Sequence, residues 1–183
     1  MIKLGARELR TTSPSEEDLK KIKKNPIYII LDGVLDTYNI GGIFRLADAI
    51  AAEKVFLCGE TETPPDSRIK KASINTTEWV TWSYAPTAIE ALKELKTQNP
   101  KLKIIAIEQH KKSTFYDKAD YGFPIALVVG HESDGVSKEV LEIADQIVEI
   151  PMWGVNKSLN VMVSLGIVLF EVMKVLTKEE SEV

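Results

Sequence analysis

The chain has 183 residues, 44% hydrophobic and 27% charged, which suits one folded domain with a sizeable core and excludes a disordered chain. No apolar run approaches the ~20 residues of a bilayer span, residues 1–10 hold no apolar leader, and two histidines with one cysteine cannot build a four-ligand zinc cage. The expectation is a cytoplasmic protein without membrane or metal, and its net charge of −4 does not advertise a nucleic-acid binder.

In chain order, Ser13 can cap a short helix that runs to about Lys24, with Pro14 in its first turn and Glu16 completing a capping box. Residues 27–31 form a continuous apolar run closed by Asp32-Gly33, the pattern of a strand covered on both faces. Residues 40–52 carry Ile43, Leu46, Ala47 and Ile50 at one-face helical spacing. A strand follows at 55–58, where Cys58 reads as inert core, and then a loop at 61–66 containing Pro64-Pro65. The pattern next predicts a strand at 79–84, a helix at 87–96, strands at 102–107 and 125–129, a helix at 137–144 and a strand at 147–150. Residues 158–176 form a long helix so apolar all round that it is buried in the domain, in a dimer interface, or in both. Strands and helices alternate about six times, which implies an α/β fold with a mostly parallel sheet flanked by helices. The whole chain, 1–183, reads as one domain with a short N-terminal extension at 1–26. Two basic clusters stand out, Lys20, Lys21, Lys23, Lys24 and Arg68, Lys70, Lys71; solvated surface is the simpler reading of both.

Ligands of parallel sheets bind at the carboxyl ends of strands, and three strand-to-helix loops carry unusual residues. The first, 36–45, holds Asn39, which can cap the helix, Gly41-Gly42, which permit close approach of another backbone, and Arg45, set in an otherwise apolar stretch. An arginine there calls for an anionic partner, most simply an intramolecular carboxylate. The second, 130–136, places Gly130 at a strand end and Glu132 and Asp134 near a helix start; His131 reads as structural. The third, 151–161, leads into the apolar helix through Ser158 and Asn160. Capping accounts for one of these, most easily Ser158, but not for both. No G-x-G-x-x-G or P-loop sequence is present.

Together the three loops resemble the signature of the SpoU/TrmH branch of the SPOUT methyltransferases. Asn39, Gly41 and Arg45 match its first motif, and Gly130, Glu132, Gly135 and Val136 its second. The ungapped run Ile150-Pro151-Met152-Trp153-Gly154-Val155-Asn156-Lys157-Ser158-Leu159-Asn160-Val161 matches its third. The similarity extends from about Ile27 to Leu176. It implies an α/β fold with a C-terminal trefoil knot, a homodimer with the last helix at or near the interface, and S-adenosylmethionine held in the knot. Carried over, the cofactor pocket comprises Val129, Gly130, Glu132, Ile150, Met152, Ser158 and Leu159. The catalytic set comprises Arg45, Asn39, Glu132, Ser158 and Asn160. The implied reaction is methylation of an RNA ribose 2′-hydroxyl. Guanidinium normally stays charged, so Arg45 suits a phosphate clamp better than a base. Asn39 would orient Arg45 or the ribose, and Glu132, Ser158 and Asn160 would fix the loops and the arginine.

Where many members of that family carry Gly-Ala, this chain reads Ser73-Ile74-Asn75-Thr76-Thr77, which bears on substrate choice. The compact chain looks more like the tRNA-modifying members than the two-domain ribosomal RNA ones. The alternatives are a ribosomal RNA 2′-O-methyltransferase and a catalytically inactive knotted RNA-binding protein. The second of these would be favoured by loss of Arg45, Asn39 or Asn160, and all three are present. The Asn-x-Gly-x-x-x-Arg and Ser-Leu-Asn combination points to ribose rather than a base nitrogen.

Overall fold

A computed structural model describes residues 3–9 and 11–181. Met1, Ile2 and Arg10, part of the N-terminal stretch read for a leader, lie outside the described residues, as do Glu182 and Val183. The helices are α1 (Ala6–Leu9), α2 (Glu16–Lys20), α3 (Thr37–Ala49), α4 (Ser67–Ser73), α5 (Ala88–Gln98), α6 (Lys138–Ile143) and α7 (Val161–Ser181). The strands are β1 (Asn25–Asp32), β2 (Ala52–Cys58), β3 (Trp82–Ala85), β4 (Lys103–Ile107), β5 (Thr114–Phe115), β6 (Ile125–Gly130) and β7 (Gln146–Glu149). They form one sheet in the order β3-β2-β1-β6-β4-β7-β5, with every pairing parallel.

The apolar runs are continuous because both faces of the sheet are covered. Along β1, Ile27, Ile29 and Leu31 pack into one core beneath α3 and α7. Between them, Tyr28 and Ile30 belong to the opposite core beneath α5 and α6. β6 divides the same way, with Leu127 and Val129 on the first side and Ala126 and Val128 on the second. Cys58 is fully buried, and burial with the nearby Asp32 charge pushes its thiol up to about 12, so it is unreactive core.

α3 lies unusually close to α4. A Cβ on Gly41 would fall 2.5 Å from the Ala72 Cβ and 2.9 Å from the Ile69 carbonyl oxygen, so only glycine permits this crossing. α7 buries one stripe, Leu165, Val168, Leu169, Val172 and Leu176. Its other stripe stays open, with Val163 41% and Phe170 57% exposed. Among the described residues, no helix is long and apolar enough to cross a membrane.

Several sequence expectations shift. Ser15 caps α2, accepting from Asp18 N–H at 3.2 Å, while Ser13 donates to Glu78, and the helix ends at Lys20 rather than Lys24. Asp36 caps α3, accepting from Tyr38 N–H at 2.8 Å, which moves the helix start back and places Asn39 within the first turn. The expected strand at 79–84 shortens to β3, which begins at Trp82, with a 3-10 turn over Thr76–Glu78 ahead of it. The expected helix start at Ser158 falls instead at Val161.

Candidate active site

The order of the sheet sets the site. β1 and β6 are neighbours, with Asp32 opposite Gly130, and β4 and β7 continue the row. The carboxyl ends of these four strands are side by side, so the loops that follow them converge. They enclose a cleft of about 500 Å3. Its wall includes Asn39, Val129, Gly130, Glu132, Ile150, Met152, Ser158, Leu159 and Asn160, all of them predicted from sequence. Arg45 is the predicted residue that does not line it.

Glu132 organises the first two loops. Its Oε1 accepts from Asp36 N–H at 3.0 Å and from Asn39 Nδ2 at 2.9 Å, and its Oε2 accepts from Leu35 N–H at 3.1 Å. Burial pushes this carboxyl up, but the bonds from the Asn39 amide and from the backbone N–H groups of Leu35, Asp36 and Glu132 itself outweigh it and hold the group below its ordinary value. Both oxygens are engaged with donors, which ties Glu132 to the first loop.

Asn39 passes the connection on. Its Oδ1 accepts from Asn160 Nδ2 at 2.8 Å. The Asn160 Oδ1 in turn accepts from Met162 N–H at 3.0 Å and Val163 N–H at 3.3 Å, capping α7. The cap is therefore Asn160 and not Ser158, whose own N–H donates to Asn156 Oδ1 at 3.3 Å and whose residue is exposed. One asparagine thus caps the helix and closes the relay Glu132–Asn39–Asn160. No hydrogen bond joins the Asn39 amide to Arg45 among the described residues.

Gly130 must be glycine. A Cβ there would lie 2.1 Å from the Gly135 carbonyl carbon and 2.3 Å from Val136 N, because the second loop folds back onto the strand end. His131 and Gly135 close that turn with reciprocal backbone bonds of 3.0 and 2.9 Å. His131 Nδ1 accepts from the N–H groups of Ser133 and Asp134, consistent with the structural reading.

A fourth loop escaped the sequence reading. Glu108, just past β4, accepts from Val136 N–H at 2.9 Å through Oε2 and from Gln109 N–H at 2.8 Å through Oε1. The Gln109 side chain donates to the Lys157 carbonyl, joining this loop to the third. Both residues line the cleft. The signal was present: an acidic residue directly after the apolar run 102–107 marks the carboxyl end of a parallel strand.

Arg45 is exposed on α3 and makes no ion pair among the described residues, so the expected carboxylate partner is absent there. The basic clusters are partly neutralised. Lys21 pairs with Glu17 at 2.8 Å, Lys70 with Glu78 at 2.9 Å, and Arg68 approaches Asp66 at 3.7 Å.

Residues 26–170 match the SpoU rRNA Methylase family. The chain belongs to that family. All three loops lie inside that SpoU match. The 23S rRNA (guanosine-2'-O-)-methyltransferase RlmB of Haemophilus influenzae is 33% identical over 163 residues, 87% of this chain and 65% of that relative. The chain therefore spans somewhat less than two thirds of that SpoU relative. The crystal structure of the A. aeolicus TrmH/SpoU tRNA modifying enzyme superposes with a TM-score of 0.78 at 30% identity, covering 96% of this chain and 84% of that one. The AdoMet-bound rRNA methyltransferase of Sinorhizobium meliloti gives 0.76 at 30% identity, over 86% of this chain and 60% of its own.

Proposed function

We propose that the protein methylates a ribose 2′-hydroxyl of RNA with S-adenosylmethionine as donor, tRNA being the preferred substrate. The observation that carries this reading is the relay Glu132–Asn39–Asn160, which ties the three family motifs around one cleft. The named activities of the relatives support it, and the A. aeolicus tRNA modifying enzyme, similar over nearly the whole chain, favours tRNA. Ribosomal RNA is the second reading, favoured by the H. influenzae relative.

The residues present fit the cofactor. The cleft has the volume of a small-molecule site. Apolar Ile150, Met152 and Leu159 offer a surface for a heterocycle, Val129 and Gly130 offer strand-end backbone, and the carboxylates of Asp36, Glu108 and Glu149 suit a cationic ligand. When bound, the cofactor supplies an electrophilic methyl group. The protein's share is to position the hydroxyl, which provides much of the rate in such transfers, and to stabilise charge. Arg45, exposed and unpaired among the described residues, takes the phosphate beside the target ribose as a permanent cation. Glu132, Asn39 and Asn160 hold the loops; Ser158, exposed on the cleft rim, faces the ligand side. The chain acts as one methyltransferase domain, its C-terminal part threaded as a trefoil knot, in the cytoplasm. It pairs as a homodimer through the open Val163–Phe170 stripe of α7.

Calorimetry with S-adenosylmethionine, followed by transfer assays on separated tRNA and ribosomal RNA from a strain lacking the gene, tests this. Cofactor binding with label entering tRNA supports the reading; cofactor binding without transfer to either RNA contradicts it.

A further inference from the structure

Tyr38 is left unexplained by the core and by the relay. Its N–H is held by Asp36 at 2.8 Å, and Asp36 and Asn39 on either side of it both line the cleft. The backbone of Tyr38 is therefore fixed at the cleft rim. The residue is 62% exposed, and its hydroxyl has no hydrogen-bond partner among the described residues.

Helix geometry places Tyr38 beside the cation that the mechanism uses. Seven residues return to nearly the same face, so Tyr38 and Arg45 project from one edge of α3, about 10 Å apart along its axis. That edge is open, since Arg45 and Ala49 are both exposed. Gly41, on one flank, is covered by α4, and Gly42, on the other, lies under the Met162 side chain of α7. The open stripe thus starts beside the cleft residues Asp36 and Asn39 with an aromatic ring and continues to a guanidinium that makes no ion pair among the described residues. An unpaired ribonucleotide strand presents the complement of this pair, a base with a π face and a phosphate with negative charge.

We infer that Tyr38 is a substrate-contact residue whose ring stacks on an unpaired base next to the methylated ribose, while Arg45 holds the flanking phosphate. This rests on the RNA-methyltransferase reading. Stacking needs the flat ring but not the hydroxyl, which separates it from a hydrogen-bonding or merely apolar role.

The test uses the full chain with labelled S-adenosylmethionine and total RNA from a strain lacking the gene. RNA binding is followed by filter retention and methyl transfer by incorporated label. Tyr38→Ala and Tyr38→Leu should each weaken RNA binding and lower kcat/KM by about tenfold or more, the range of one lost base stack. Tyr38→Phe should stay within about twofold of the parent, and cofactor affinity and sedimentation should not change. Equal activity of Tyr38→Ala and the parent overturns the inference, as does a Tyr38→Leu as active as Tyr38→Phe. Dissociation of the assembly by Tyr38→Ala assigns the ring to a second copy of the chain and also overturns it. RNA binding by the parent without methyl transfer defeats the functional reading while the binding series still decides Tyr38; no RNA binding by the parent defeats both.

Discussion

The side chains of Asn39 and Asn160, 121 residues apart in sequence, meet through a 2.8 Å hydrogen bond from Asn160 Nδ2 to Asn39 Oδ1. Asn39 is 4% exposed, so its amide needs both partners, and it has them in Asn160 and Glu132. Because Asn160 also caps α7, its loss removes a helix cap and a cross-loop bond together. Asn160→Ala should cost about 1–3 kcal/mol in chemical denaturation. Asn160→Asp keeps the cap acceptor but loses the donor to Asn39, and should fall between. A double-mutant cycle with Asn39→Ala should show coupling of about 1 kcal/mol; additive losses would mean the two residues act separately.

The Glu132 carboxyl is held below its ordinary value, so folding favours its ionised form. The stability it contributes is present above the unfolded value and is lost as pH falls through the lower folded value. The parent should lose more stability than Glu132→Gln when pH drops from about 6 to about 3.5, a window that brackets the ordinary value of about 4.3. Asp66 and Glu78 are also held low, but they are common to both proteins and leave the comparison intact.

Two glycines in the second loop should respond differently from one in the third. Gly130→Ala meets backbone at 2.1 Å, and Gly135→Ala meets the Glu108 carboxylate at 2.1 Å from a φ of +74°. Each should destabilise by about 1–3 kcal/mol or more and weaken cofactor binding in calorimetry. Gly154 has nothing within 4 Å of an added Cβ, and Gly154→Ala should lie within about 0.5 kcal/mol of the parent.

Much of this was legible in the sequence. The apolar run of β1 announced a doubly covered strand because side chains on both faces are buried, and the three motif loops fell where parallel strands end. What was not legible has physical causes. α4 buries only Ile69 and Ser73, one of them polar, too few for periodicity in seven residues. β5 is two exposed residues recruited by pairing with β7. The caps at Ser15, Asp36 and Asn160 each compete with a neighbouring polar residue that propensity ranks about equally, so tertiary bonds decide among them. Arg45 lies in an apolar sequence but on the open edge of its helix, which only the packing of α3 between α4 and α7 reveals.

The open stripe of α7 gives the proposed dimer a direct check. Phe170 is 57% exposed beside the buried Leu169. Phe170→Glu should leave the monomer folded by circular dichroism and halve the mass seen by sedimentation; an unchanged mass would place the interface elsewhere.

The most direct test of the central claim follows the methyl group. Labelled S-adenosylmethionine and tRNA from a strain lacking the gene are incubated with the parent and with Arg45→Ala, and the RNA is digested to nucleosides. The account predicts label in a 2′-O-methylnucleoside with the parent and a loss of about a hundredfold or more in rate with Arg45→Ala, at unchanged cofactor affinity because Arg45 stands outside the cleft. Label in a base-methylated nucleoside, or full transfer by Arg45→Ala, would contradict it.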